Sequence, residues 1–264
     1  LEDLPEGGKQ LLKELEEQLD LEKVRCIQVF GSAVTGEVSD VSDLDLRIVL
    51  KNEHSGYRER ASRTVLSLAE KNLDTESESR NSLEKAVDSS TGMFQSGMVT
   101  TETAVREGRY YDIGNVSRAS AFGPWRIIMA KIFDGSVTIY GDPIEPEWSK
   151  IGRPEDMKYR ELFKSLLITF ALSSSQWLYS FFSSRATLYS MEAYKWTVFN
   201  CSFLLSEEIH GLERSIKICP GLLDIKERFK DLRESYETDL SFVFKAPIEI
   251  TAAHIKTFGT ILNS

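Results

Sequence analysis

The sequence predicts an α+β fold followed by a helical bundle. Three observations point there. Two short apolar runs, Val24 to Phe30 and Leu44 to Leu50, read as β-strands. Gly36, Ser39 and Ser42 between them supply turn chemistry. From Asp156 onward, apolar residues recur instead at helical spacing.

In chain order, Gly8 to Asp20 predicts an amphipathic helix, with Leu11, Leu12, Leu15 and Leu19 on one side. The two strands follow. Ser55 to Asn72 predicts a second helix, built on Val65, Leu66, Leu68 and Ala69. Asp74 to Ser90 is charged and Ser-rich and reads as a loop with an exposed helical piece. Gly92 to Thr101 is a third candidate strand, and Arg106 to Ala119 reads as irregular. Pro124 opens a helix through Ile132, since proline suits a first turn. Ser136 to Tyr140 is a strand, closed by Gly141-Asp142-Pro143.

Pro143, Pro146, Gly152 and Pro154 mark a linker. The boundaries expected are therefore a core domain over 1–145 and a helical domain over 154–264. In the latter, Phe163, Leu166, Leu167 and Phe170 follow the i, i+3, i+4, i+7 rule and predict the core face of a helix. Met191, Val198 and Phe199 predict the next one. A charged helix runs after Pro220 to Glu237, and a last helix over Thr251 to Leu262.

Bulk properties narrow the function. The 264 residues, 41% of them hydrophobic, suffice for one large or two modest cores. A net charge of −9 is a poor match for long nucleic acid, which needs a basic track. Cys26, Cys201 and Cys219 are odd in number and widely spaced, which suggests neither a disulfide framework nor a zinc site and fits a reduced, cytoplasmic setting. Leu1 to Glu6 is acidic and predicts no signal peptide. Phe163 to Phe182 carries Lys164 and Gln176 and reads as a buried helix rather than a membrane span. No membrane partner is expected; a homodimer is left open.

The stretch from Gly31 to Asp45 carries chemistry. Asp43 and Asp45 are two apart on a strand, so both point to one face. Two like charges side by side repel unless a cation sits between them, and magnesium suits closely set carboxylates with room for phosphate oxygens. Gly31-Ser32 ends the preceding strand. Glycine lets a backbone approach a phosphate, and successive N–H groups at such a turn form an anion-binding concavity.

Gly31-Ser32, a spacer, then Ser42-Asp43-Leu44-Asp45-Leu46 resembles the signature of the polymerase-beta-like nucleotidyltransferases, most tightly over residues 27 to 50. The resemblance implies a mixed β-sheet flanked by helices. It implies that Gly31 and Ser32 hold phosphates, with Ser42 in support, and that Asp43 and Asp45 hold two Mg²⁺ ions. The implied reaction moves a nucleoside monophosphate from an NTP, ATP first, to a hydroxyl of a small molecule or protein, and releases pyrophosphate. Family members usually carry a third carboxylate on a following strand. Met93 to Val99 has no acid, and the nearest is Glu102, the candidate third catalytic residue. The alternative reading is a weak or inactive nucleotide-binding member that regulates a partner.

Other candidates have plainer competitors. Lys195 could hold the leaving pyrophosphate, or could be a snorkelling lysine at the bundle surface. Arg47 shares a strand face with Asp43 and Asp45, which places it near the site or in a surface ion pair. Arg58, Arg60 and Arg63 read as a solvated helix face before a triphosphate site. His54, His210 and His254 have no metal-ligand spacing.

Overall fold

A computed structural model describes residues 6–31, 34, 45–52, 56–72, 97–114, 122–183, 185–222, 226–235 and 237–264. Two compact units divide the chain: Leu1–Ala121 with Ile128–Gly152, and Phe122–Ile127 with Arg153–Ser264. The division differs from the sequence expectation in two ways. The first unit ends at Gly152 rather than 145, and a short segment, Phe122–Ile127, belongs to the second.

Alternation of side chains builds the first unit. Strands β1 (Val24–Phe30), β2 (Asp45–Leu50), β3 (Gly97–Thr101) and β4 (Val137–Gly141) form one mixed sheet in the order β3-β2-β1-β4. β1 is antiparallel to β2 and to β4, whereas β2 and β3 are parallel. Ile27 pairs with Ile48 and Val29 with Leu46. These side chains face helices α1 (Glu6–Gln18) and α2 (Tyr57–Asn72), where they meet Leu11, Leu15, Val65 and Leu68 in one buried cluster. Each such side chain contributes roughly 1.5–3 kcal/mol on burial. The register is fixed by that sum, because a slip of one residue would turn Asp45 and Arg47 into the apolar layer. Gly97 opens β3 where α2 passes closely: a Cβ there would lie 2.2 Å from Val65 Cγ1.

A short helix, α3 (Glu102–Arg106), follows β3 directly, and the stretch from Arg106 to Ala119 expected to be irregular contains another, α4 (Tyr110–Ile113). Thr101 caps the first by accepting from the Ala104 N–H, a signal hidden among the polar residues. Helix α5 (Trp125–Asp134) starts after Pro124 as expected, and α6 (Trp148–Ile151) lies inside the predicted linker.

The second unit is helical: α7 (Lys158–Tyr179), α8 (Ala186–Ser206), α9 (Leu212–Ile218), α10 (Lys226–Ser235) and α11 (Leu240–Leu262). Two sequence expectations are corrected here. First, α11 begins eleven residues before Thr251 and continues through Pro247. Asp239 caps its start, accepting from the Phe242 N–H at 2.9 Å. Proline cannot donate to the carbonyl four residues back. That carbonyl, on Val243, accepts instead from the Trp177 indole N–H at 3.0 Å, so the bond lost within α11 is regained from α7.

Second, α7 is turned the other way. Phe163, Leu167 and Phe170 are exposed, and the buried side carries Glu161, Leu162, Ser165, Thr169, Leu172, Ser173 and Gln176. Polar groups are tolerated inside when they are hydrogen-bonded. Glu161 pairs with Arg126 at 3.1 Å. Ser165 Oγ accepts from Asn200 Nδ2 at 3.0 Å and lies 2.9 Å from His254 Nε2. His254 Nδ1 sits 2.7 Å from the Ile250 carbonyl, which can only accept. The proton is thereby assigned to Nδ1, and Nε2 accepts from the serine hydroxyl.

Burial pulls the His254 pKa down from its ordinary 6.5 to about 4. A depressed folded pKa means the unfolded chain binds the proton first. The contribution of neutral His254 is therefore full above pH 6.5 and is lost as pH falls toward 4. Its loss is expected to cost about 3 kcal/mol across that window. Urea midpoints at neutral and acidic pH, compared with those of His254→Gln, measure it. An equal acid sensitivity in the variant would assign the effect to other groups.

Candidate functional site

The end of the sheet where β1 leaves and β2 enters gathers the chemistry. Phe30 pairs with Asp45 as the last step of the β1–β2 ladder, so Gly31 follows directly beside Asp45. Gly31 has φ +73°, a left-handed conformation that side chains rarely adopt. A Cβ on Gly31 would lie 2.3 Å from Asp45 Oδ2. The Gly31 carbonyl accepts from the Val34 N–H at 3.1 Å, so the chain turns at once after the strand. The half-buried Asp45 carboxylate thus stands against bare backbone at a sharp turn. Ser32, Ser42 and Asp43, the other residues of the motif, lie outside the described residues.

Gly31→Ala is expected to hurt twice, through the strained φ and through the push on Asp45. Thermal unfolding should show a loss of about 1–2 kcal/mol. Nucleotide affinity should fall more than stability does, because the displaced group is the carboxylate; calorimetry against ATP checks that, and unchanged affinity would remove Gly31 from the site.

Beneath Asp45, on the same face of β2, lies Arg47. The expectation of a surface ion pair is corrected: Arg47 is fully buried. Its register partner is Gln28, whose side-chain oxygen accepts from Nη2. Gln28 Nε2 in turn donates to Ser136 Oγ and Thr138 Oγ1, each at 3.1 Å. The guanidinium lies 3.6 Å from the centre of the Phe133 ring. Nε and Nη1 find no hydrogen-bond partner among the described residues. Desolvation lowers the Arg47 pKa to about 9, which still leaves it charged at neutral pH. The sequence did hold a signal for this cluster: one polar residue near the centre of each of two apolar strands.

Glu102 does not join Asp45. β3 runs parallel to β2, with Gly97 beside Leu46 and Thr101 beside Leu50. Glu102 follows Thr101 and therefore sits past the far end of the sheet, roughly 15–20 Å away along the strand. Its carboxylate is held by Arg106 at 2.8 Å. On the face of β3 that Asp45 shares, the described residues are Met98 and Thr100, neither of them acidic. Lys195 lies on α8 in the second unit, where its ammonium is 2.6 Å from the Glu192 carboxylate. Arg58, in the helix after β2, donates to the carbonyl oxygen of Val99 at 3.1 Å and also to that of Asp112, a structural role. Among the described residues no three His, Cys, Asp or Glu gather into a metal-holding group; Asp43 is not one of them.

Residues 9–97 match the family described as "Polymerase beta, Nucleotidyltransferase". The crystal structure of spectinomycin adenyltransferase AAD(9) from Enterococcus faecialis, with ATP and spectinomycin, is similar in fold. The likeness has a TM-score of 0.51 at 9% identity and covers 95% of this chain and 98% of that one. No curated protein matches the sequence.

Proposed function

We propose, from the match of residues 9–97 to the family described as "Polymerase beta, Nucleotidyltransferase", that the chain transfers a nucleoside monophosphate from an NTP, ATP first, to a hydroxyl of a small molecule, with release of pyrophosphate. One observation carries the reading: Gly31 and the Asp45 carboxylate meet at the sheet end, with no room between them for a side chain. The bare turn suits a phosphate, and the adjacent carboxylate suits the cation that travels with it. Asp45, with Asp43, would hold Mg²⁺. A metal bound there would supply positive charge to the triphosphate and to the leaving pyrophosphate. The protein's own part is positioning: the Gly31 turn fixes the phosphates, and the rigid β1–β2 ladder fixes Asp45. A small-molecule acceptor is favoured by the neighbour of like fold, which was solved with ATP and spectinomycin.

A second reading, nucleotide binding with slow or no transfer, is favoured by Met98 and Thr100, which stand on the strand face where the family usually carries its third acid. One experiment separates the two. ATP is offered with Mg²⁺ to the full chain, with and without a panel of polyhydroxylated acceptors, and pyrophosphate is followed. Acceptor-dependent release supports transfer. Mg-dependent binding without release supports the second reading, and no binding defeats both.

A further inference from the structure

The second unit leaves bare a face that a solvated helical domain covers. Most of the large apolar side chains exposed among the described residues lie on α7, the turn after it, and α11. Phe163 is 65% exposed, Leu178 72%, Phe182 85%, Ile248 66% and Ile255 62%. These are the protruding side chains of two helices packed side by side. Tyr159 meets Phe258 edge-on at 5.4 Å and Trp177 meets Phe244 at 5.8 Å, so α7 and α11 run antiparallel. Helices of this length span roughly 33 Å, and two of them with axes roughly 10 Å apart present a face of roughly 650 Å². With its basic flanks taken off, the apolar centre falls in the roughly 300–600 Å² range of the largest patch on a monomer, which is often functional.

Charge says what covers it. The chain as a whole carries −9, yet neither helix shows an acid to solvent. The one acid of α7, Glu161, and the one acid of α11, Glu249, are both buried. Arg160 on α7, and Lys245 and Lys256 on α11, are exposed, and Lys164 on α7 is half-buried. At 100° per residue they fall on the outer flank of each helix, away from the flank where Tyr159 and Trp177 meet the other. The face is therefore an apolar centre bordered by a basic row on both sides. A second copy of the chain would bring the same positive rows together, and the area falls short of the roughly 800 Å² per partner that a stable dimer uses. Aromatic and aliphatic side chains ringed by Lys and Arg suit an anionic bilayer surface, whose acyl boundary takes the centre and whose headgroups take the rows.

We propose that the α7–α11 face docks on an anionic membrane surface. Docking is peripheral, since no described helix is long and apolar enough to cross a membrane. The acidic remainder of the chain does not forbid it, because charges more than about 10 Å from the lipid are screened at ordinary ionic strength.

Flotation of the full chain with vesicles tests this. Vesicles of phosphatidylcholine with about one third phosphatidylserine should carry the protein up, and pure phosphatidylcholine vesicles should not. Binding should fall as salt rises. Lys245→Glu with Lys256→Glu should weaken it by about 25-fold or more, taking roughly fivefold per basic residue. Phe163→Ser, at an exposed site, should weaken it with helical content and ATP binding intact. No flotation at low salt overturns the proposal, as does equal binding to both vesicle types. A dimer in sedimentation that Phe163→Ser dissolves, without vesicle binding, overturns it in favour of a second copy.

Discussion

Asp45→Asn is expected to reduce nucleotidyl transfer by about 10³-fold or more and to leave the fold intact. The carboxylate faces the turn at Gly31 and lies outside the α1–α2 core, so its charge is not what holds β2 in place. The ladder from Val24 to Phe30 and the apolar side chains Leu46, Ile48 and Leu50 do that. Asparagine keeps the shape and removes the charge that a magnesium ion needs. The measurement is Mg-dependent ATP binding by calorimetry together with pyrophosphate release. Circular dichroism should superimpose on that of the wild type. Turnover retained in the variant would remove Asp45 from the chemistry and, with it, the proposed function; binding lost together with the fold would point to a structural carboxylate instead.

Arg47→Ala is expected to destabilise the first unit by about 3–4 kcal/mol. The substitution empties the space over the Phe133 ring and takes the guanidinium from the Gln28 oxygen. Arg47→Met makes the contrasting case. It fills much of the same volume without a buried charge, and two guanidinium nitrogens of Arg47 have no hydrogen-bond partner to lose among the described residues. Replacing a poorly compensated buried charge by an apolar side chain is often neutral or better, so Arg47→Met should lie within about 1 kcal/mol of wild type. Denaturant midpoints of the two variants decide it. If methionine costs as much as alanine, the hydrogen bond to Gln28, rather than filled volume, is what Arg47 supplies. Transfer measured on Arg47→Met then reports whether the charge two residues along the strand also tunes Asp45.

Local pattern determined much of this protein. The switch from helical spacing to short apolar runs marks β1 to the residue, and β2 to within one. Those two strands, with glycine at the end of the first and an aspartate at the head of the second, are enough to place Gly31 against Asp45 once the ladder closes. The family match over residues 9–97 covers this same motif. These features are legible because each depends on residues near in sequence and on a side-chain period set by the backbone.

The tertiary structure decided what depends on neighbours. The parallel pairing of β3 sends Glu102 to the far end of the sheet, and nothing in the strand itself records that direction. Arg47 looks like a surface residue in an alternating strand, but Phe133 and Gln28, distant in sequence, close over it. The stripe of Phe163, Leu167 and Phe170 has the spacing of a core face, yet α7 buries the opposite side, where Arg126 bonds Glu161 and Asn200 and His254 bond Ser165. Periodicity shows that a helix has two faces; only the partners that can bond or exclude water determine which of them is inside.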